Sequence, residues 1–106
     1  MAVTVGYVGT LEVETRKVSR IWFAITAAST GSNWVRIGQN RAWFTMSMET
    51  KDRPSEMSKL SLLTEAMRNG LQVRVSHGGA ADFKKYHPHD SFEVNGVEVL
   101  RQGLTF

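Results

Sequence analysis

The stretch over residues 58–77, SKLSLLTEAMRNGLQVRVSH, constrains the fold more than any other part of the chain. Its first half spaces apolar residues at helical intervals, which predicts an amphipathic helix over 58–69 whose start is capped by Ser58 or Ser61. Gly70 can adopt the left-handed conformation that ends a helix. After it, apolar and polar residues alternate, which predicts a strand with one apolar face. The predicted apolar face of the helix contains Leu60, Leu62, Leu63, Ala66 and Met67.

Alternating apolar and polar residues predict strands on both sides of this unit. Gly6 and Gly9 interrupt the first strand, as expected where a strand bends around the corner of a barrel. Asn95 and Gly96 predict a bulge or a tight turn in the last strand. The polar segment 49–57 is predicted to be a connector that leads into the helix. The predicted strands cover residues 3–14, 21–28, 34–48, 71–77 and 92–100.

The order of these elements is strand, strand, strand, helix, strand, strand. It is the order of the OB-fold, a five-stranded Greek-key β-barrel. The predicted fold class is therefore mainly β, an OB-like barrel with one α-helix between strands three and four. A chain of 106 residues with 42% hydrophobic content is expected to form one domain, residues 1–106, around a single core. Within strand three, residues 38–40 form either a tight turn or a bulge.

The helix-to-strand run LSLLTEAMRNGLQVRV resembles a signature of the small OB-folded B subunits of bacterial AB-type toxins. In that family an apolar, alanine-containing helix ends in a short turn and enters a strand of the V-x-V kind. The resemblance implies a non-enzymatic binding subunit that can form a ring. Its members usually have a disulfide, whereas this chain has no cysteine. The matching residues are Leu62, Leu63, Ala66, Gly70, Val73 and Val75.

Composition narrows the function classes further. The absence of cysteine excludes disulfides and thiolate sites, and it favours a reducing compartment. No apolar run approaches the roughly 20 residues that span a membrane. The N-terminal sequence MAVTVGYVGTLEVE does not have the pattern of a signal peptide, so a cytoplasmic location is expected. The net charge of +3 permits an anionic partner without requiring one.

Two tryptophans are candidate ligand contacts because they fall on the polar faces of their predicted strands. Trp22 lies in strand two and Trp43 in strand three, on the sheet face that OB-folds use for binding. Exposed indoles there can stack on bases or sugar rings. The alternative is that both tryptophans are covered by a loop or a second subunit, since tryptophan is enriched at interfaces. Trp34 begins its strand and fits either interpretation.

Basic residues occupy the two connectors that flank this face in an OB-fold. Alternation of basic side chains and aromatic rings is what single-stranded nucleic acid requires. The alternative is an ordinary solvated rim, because loops are normally polar. The candidate cations are Arg16, Lys17 and Arg20 in the first connector, and Lys84 and Lys85 in the second. Arg36, Arg41 and Arg74 are expected to add to them from strands.

The three histidines give a weak metal-binding pattern. His87, His89 and Asp90 follow one another closely, and His77 could approach them from the neighbouring strand. Two histidines at i, i+2 are also common in exposed loops, and His77 alone is more typical of a strand-end residue whose nitrogens have partners. No metal or other cofactor is therefore predicted.

Enzyme motifs are absent from the sequence: it contains no G-x-S-x-G, P-loop, G-x-G-x-x-G or H-E-x-x-H. The predicted function is a non-enzymatic binding module, ring-forming or dimeric, with a glycan or protein partner. The alternative is a protein that binds single-stranded nucleic acid. Self-association is expected in the first case, because surface tryptophans and five methionines favour a subunit contact. No membrane span and no catalytic residue are predicted.

Overall fold

The computed structural model of the protein describes residues 2–15, 19–37, 39–86 and 89–106. Within these residues it contains eight strands, one α-helix and one short 3₁₀ helix. The strands are β1 (Ala2–Glu14), β2 (Arg20–Thr26), β3 (Arg36–Ile37), β4 (Asn40–Arg41), β5 (Trp43–Ser47), β6 (Gln72–His77), β7 (Phe83–Lys84) and β8 (Ser91–Val99). The α-helix is α1 (Arg53–Asn69), and the 3₁₀ helix is Ala80–Asp82.

The longer strands form one sheet that closes on itself. The sheet runs in the order β5-β2-β1-β6-β8, and β8 then returns to pair with β5. The pairs within that order are antiparallel, whereas the closing pair of β5 and β8 is parallel. The short β7 adds to β8, and β3 and β4 form a separate hairpin. The predictions of a mainly β chain and one helix between the third and fourth long strands are confirmed.

Helix α1 begins earlier than the sequence pattern predicts. It starts at Arg53 with Asp52 at the N-cap, so the predicted caps Ser58 and Ser61 are wrong. Pro54, in the predicted connector, lies in the first turn, where its missing N–H costs no hydrogen bond. The predicted end is confirmed: Gly70 has φ 62° and ψ 37°, the left-handed conformation.

The buried stripe of α1 is narrower than predicted. Leu63 and Ala66 are buried, and Leu60 packs partly against the core. Leu62 and Met67, which were predicted on the same face, are 42% and 44% exposed. The stripe advances in steps of three residues, so the helix contacts the sheet along one narrow line and leaves both flanks open.

Two of the predicted irregularities are bulges that bend the long strands. The register of β1 against β2 shifts between Val8 and Thr10, which leaves Gly9 as the extra residue. The register of β6 against β8 shifts where Asn95 is the extra residue. For the third predicted strand, β3 and β4 pair as a hairpin with Ile37 opposite Asn40, so the strand is not continuous, and Gly38 lies outside the described residues.

Strand β2 is buried on both of its faces. Ile21, Phe23 and Ile25 are in the hydrophobic core, as predicted. Trp22 points to the opposite face but is 0% exposed, so the ligand-contact interpretation is wrong for this residue and the alternative of a covered indole applies. The alternation of side chains along β2 correctly places Trp22 on the face away from the core, but residues distant in sequence cover that face. A helix long and apolar enough to cross a bilayer is absent from the described residues.

Candidate functional site

The outer face of β2 and β5 is the starting point for the candidate site. The register places Trp22 beside Thr45, and Trp43 beside Ala24, on the side of the sheet away from the core. On the adjacent strand β1, Glu12 pairs with Trp22 on the same face. This face therefore combines two indoles with a carboxylate.

His89 and Ser91, which follow β7 in the sequence, lie over this face and cover Trp22. The ring of His89 stacks on Trp43 with centroids 3.7 Å apart and planes inclined by 12°. The same ring meets Trp22 edge-on at 6.0 Å, and its Nε2 lies 3.3 Å from the carboxylate of Glu12. The indole N–H of Trp22 donates to Ser91 Oγ at 3.2 Å. Trp22 is thus an internal support of the face and offers no surface to a ligand.

Arg20, predicted as a ligand contact, is engaged within the chain. Its guanidinium forms an ion pair with Glu93 and lies 4.3 Å from the ring centroid of Tyr86. Its Nε donates to Thr45 Oγ1 at 3.0 Å. The hydroxyl of Tyr86 donates to the same Glu93 at 2.8 Å. Burial raises the pKa of Tyr86 above its ordinary value, and the hydrogen bond to Glu93 and the negative charge of Glu93 raise it further.

A second group of side chains lies beside this one and is partly open to solvent. The guanidinium carbon of Arg41 lies 3.9 Å from the ring centroid of Trp34 and 5.7 Å from that of Trp43. All three side chains are half-buried. Among the described residues, no carboxylate lies within ion-pair distance of Arg41. We refer to Trp34, Arg41 and Trp43 as the Trp–Arg cluster.

The bulge at Gly9 makes room for this cluster. A Cβ atom at Gly9 would lie 2.6 Å from Cζ3 of Trp34 and 2.6 Å from Cγ2 of Thr26. Only a residue without a side chain allows the indole of Trp34 to lie this close to β1. Trp34 is held there by a bridge to Thr26, the last residue of β2. The position of Arg41 over Trp34 therefore depends on a glycine on another strand.

The other predicted cations have different surroundings. Lys84 is exposed, and Lys85, whose side chain is 85% exposed, lies 3.6 Å from Asp90, a distance at which an exposed pair contributes little. Arg36 is exposed beside the cluster on β3. Arg74 forms an ion pair with Glu98. Arg16 and Lys17 lie outside the described residues.

The two histidines that the structure describes, His77 and His89, lie apart. His77 is 4% exposed and packs against core aromatics, whereas His89 lies on the outer face. The Nδ1 of His77 is 2.7 Å from the carbonyl of Gly78, so it donates, and its Nε2 is 2.8 Å from the hydroxyl of Thr4. Both nitrogens of His77 thus have partners, which is the alternative that the sequence favoured. The described residues contain no group of three potential metal ligands, and His87 lies outside them.

Comparison with protein-family models, curated proteins and solved structures found no match for this chain.

Sequence reasoning identified Trp34 and Arg41 only as possible contributors, although they form the open part of the site. Turn residues between β2 and β3 indicated that Trp34 follows a turn, but not that the chain folds back onto Gly9. The roles of Glu12, Tyr86 and His89 were missed, because each depends on contacts that Tyr86 and His89 make with strands distant in sequence.

Proposed function

We propose that the protein is a non-enzymatic binding protein with an OB-like barrel, and that it binds single-stranded nucleic acid through the Trp–Arg cluster. The barrel proposal is supported by five long strands that close into a ring, with α1 between the third and the fourth. OB-folds bind oligonucleotides on the face and loops of this region.

The observation that carries the ligand proposal is the position of Arg41 against two indoles. The cation–π contacts fix the guanidinium before a ligand arrives, so less side-chain entropy is lost on binding. Its planar fork of N–H donors matches a phosphate group. Because no carboxylate of the described residues pairs with Arg41, its charge is available to an anion.

Single-stranded nucleic acid suits this arrangement better than a glycan does. Trp22, the more central of the two predicted stacking residues, is buried under the chain's own loop. Trp34 and Trp43 remain half-exposed and lie next to Arg41, which is not paired with any described carboxylate. An uncharged sugar would gain little binding energy from that positive charge. Arg36, which is exposed and pairs with Arg41 in the β3–β4 hairpin, adds a second positive charge beside the cluster. A backbone of phosphates would use both charges.

The test is the titration of a fluorescein-labelled oligo-dT strand by fluorescence anisotropy at two salt concentrations. We expect salt-sensitive binding, and we expect Arg41→Ala to weaken it by roughly tenfold, since a hydrogen bond between charged groups contributes about 1.5–3 kcal/mol. The affinity should decrease less steeply with salt for this variant because one phosphate contact is lost.

The matched control is Arg101→Ala. It removes the same charge from an exposed position after β8 and should leave the affinity within about twofold of the wild-type value. Neutralising both Lys84 and Lys85 should weaken binding at low salt. Absence of salt-sensitive binding by the wild-type protein would refute the proposal.

A second candidate function, self-association, is favoured by the open flank of α1. Met57, Leu60, Thr64 and Met67 follow the spacing of a coiled-coil seam, and both methionines are 44% exposed. The measurement is solution mass by light scattering at low and high salt. A dimer or ring that dissociates in the Met57→Lys variant supports this candidate, and a monomer at both salts contradicts it.

A further inference from the structure

A small cavity adjoins the Trp–Arg cluster. It has a volume of about 230 Å³ and lies between the β3–β4 hairpin and the segment that begins with the 3₁₀ helix Ala80–Asp82. Its described lining residues are Ile37, Arg41, Ala42, Ala80, Phe83 and Phe92. Arg41, whose guanidinium lies against the two indoles, is therefore also a lining residue of this cavity.

The floor of the cavity is aromatic and is continuous with the core. Phe92 is 2% exposed and belongs to the core cluster. Phe83 packs on it with centroids 4.9 Å apart and planes inclined by 57°. Ala42, beside them, is 1% exposed. Because these side chains are held by the core, the cavity does not depend on loop side chains alone for its shape.

The size and charge of the cavity point to one kind of occupant. Drug-sized ligands occupy pockets of about 300–1,000 Å³, so this smaller cavity suits a single flat ring. Arg41 is the only charged residue among the described ones that line it. One face of its guanidinium is covered by Trp34, and its N–H edge remains for an anion. The complementary ligand is an aromatic ring that carries a negative group.

We infer that the cavity holds one base of a bound single strand, with the adjoining phosphate on Arg41. This inference rests on the proposed function and specifies where a base is inserted. The base contacts Phe83 and the apolar side chains of Ile37 and Ala80, and its polar edge faces the open side of the cavity.

The lining also determines the expected specificity. Discrimination between bases requires hydrogen-bond groups directed at the base edge. Apart from Arg41, the described side chains around the cavity are apolar. Binding is therefore sequence-tolerant, and oligo-dT and oligo-dC strands of equal length should differ by no more than about threefold in affinity.

The test fills the cavity from its exposed side. Ala80 is exposed and lines the cavity, whereas its neighbour Ala81 is exposed and does not line it. Ala80→Trp is therefore the test variant and Ala81→Trp its matched control. The probes are a labelled oligo-dT strand and a strand of the same length built from abasic nucleotides, which keeps the phosphates and removes the bases. Far-UV circular dichroism verifies that each variant is folded, and Ala80→Met provides a milder filling.

The expected result is a loss of roughly tenfold in oligo-dT affinity for Ala80→Trp, a smaller loss for Ala80→Met, and a change within about twofold for Ala81→Trp. The affinity of the abasic strand should be the same for all of them. Oligo-dT binding to Ala80→Trp as tight as to Ala81→Trp would overturn the inference. Equal losses for the two strands would also overturn it, because they would show that the substitution disturbs the phosphate contacts and not the position of a base. If the proposed function itself is wrong, the result is different, because the wild-type protein then binds neither the oligo-dT strand nor the abasic strand.

Discussion

The imidazole of His89 lies flat on the indole of Trp43, with ring centroids 3.7 Å apart. The two residues belong to different parts of the chain, since Trp43 begins β5 and His89 precedes β8. Their stack fastens the segment that covers Trp22 and also forms one side of the Trp–Arg cluster. This one contact therefore links the part of the outer face where Trp22 is covered to the part where the Trp–Arg cluster is open to solvent.

Replacing His89 by alanine should release the covering segment. The variant loses the stack on Trp43 and the contact with Glu12, which should lower the free energy of unfolding by about 1 kcal/mol. Acrylamide should then quench tryptophan fluorescence more strongly, because Trp22 becomes accessible. The control is Lys85→Ala, in the same segment but largely exposed. Identical quenching of the two variants would show that the stack does not hold the segment.

Adding a single methyl group at Gly9 should disturb the Trp–Arg cluster. In Gly9→Ala the new Cβ would meet Trp34 and Thr26 at 2.6 Å, so the indole must move, at a cost of about 1–3 kcal/mol. Gly79→Ala is the control, because no atom lies within 4 Å of a Cβ there. Urea unfolding measures the difference in stability, and oligo-dT titration measures the effect on binding. If Gly9→Ala is as stable as Gly79→Ala, the close packing of Trp34 on β1 is refuted.

Alkaline pH should weaken the contacts of Tyr86. Its pKa in the folded protein is raised above the ordinary value of 10.0, so the folded state holds the phenolic proton more tightly than the unfolded state does. The stabilisation is therefore complete below about pH 10 and is lost as the pH rises through the folded pKa. At neutral pH, Tyr86→Phe should be less stable by about 1 kcal/mol, because the hydrogen bond to Glu93 is gone.

The measurement is the urea midpoint of the wild-type protein and of Tyr86→Phe from pH 8 to about pH 11, together with the absorbance of ionised tyrosine. The difference between the two proteins should decrease above about pH 10. A difference that stays constant across this range would mean that Tyr86 does not titrate in the folded state as described.

The parts of the fold that depend on local chemistry could be predicted. The end of α1 at Gly70 follows from the left-handed conformation available to glycine, and the faces of β6 follow from its alternation. The polar segment 49–57, which contains Pro54, is predicted to be a connector, but proline is compatible with the first turn of a helix, so the predicted start of the helix is too late. The sequence pattern could not identify which flank of α1 packs on the sheet, because that depends on where the strands end.

The candidate site was less predictable than the fold. Alternation assigned Trp22 correctly to the face away from the core, but alternation carries no information about what covers a face. The cover comes from residues that lie more than half the chain away, as the hydrogen bond between Trp22 and Ser91 illustrates. The contact between Trp34 and Arg41 depends on the path of a hairpin whose turn the sequence left open.

The closure of the sheet has a consequence for how the chain acquires its structure. The first strand pairs on one side with its neighbour β2 and on the other with β6, where Ala2 lies opposite His77. The final closing pair joins Phe44 to Phe92. During synthesis, β1, β2 and β5 can assemble early, but both outer edges of that sheet stay open until the C-terminal strands emerge. Contacts so distant in sequence are formed slowly, so the nascent chain must pass through a state with unpaired strand edges, which is the state most prone to aggregation.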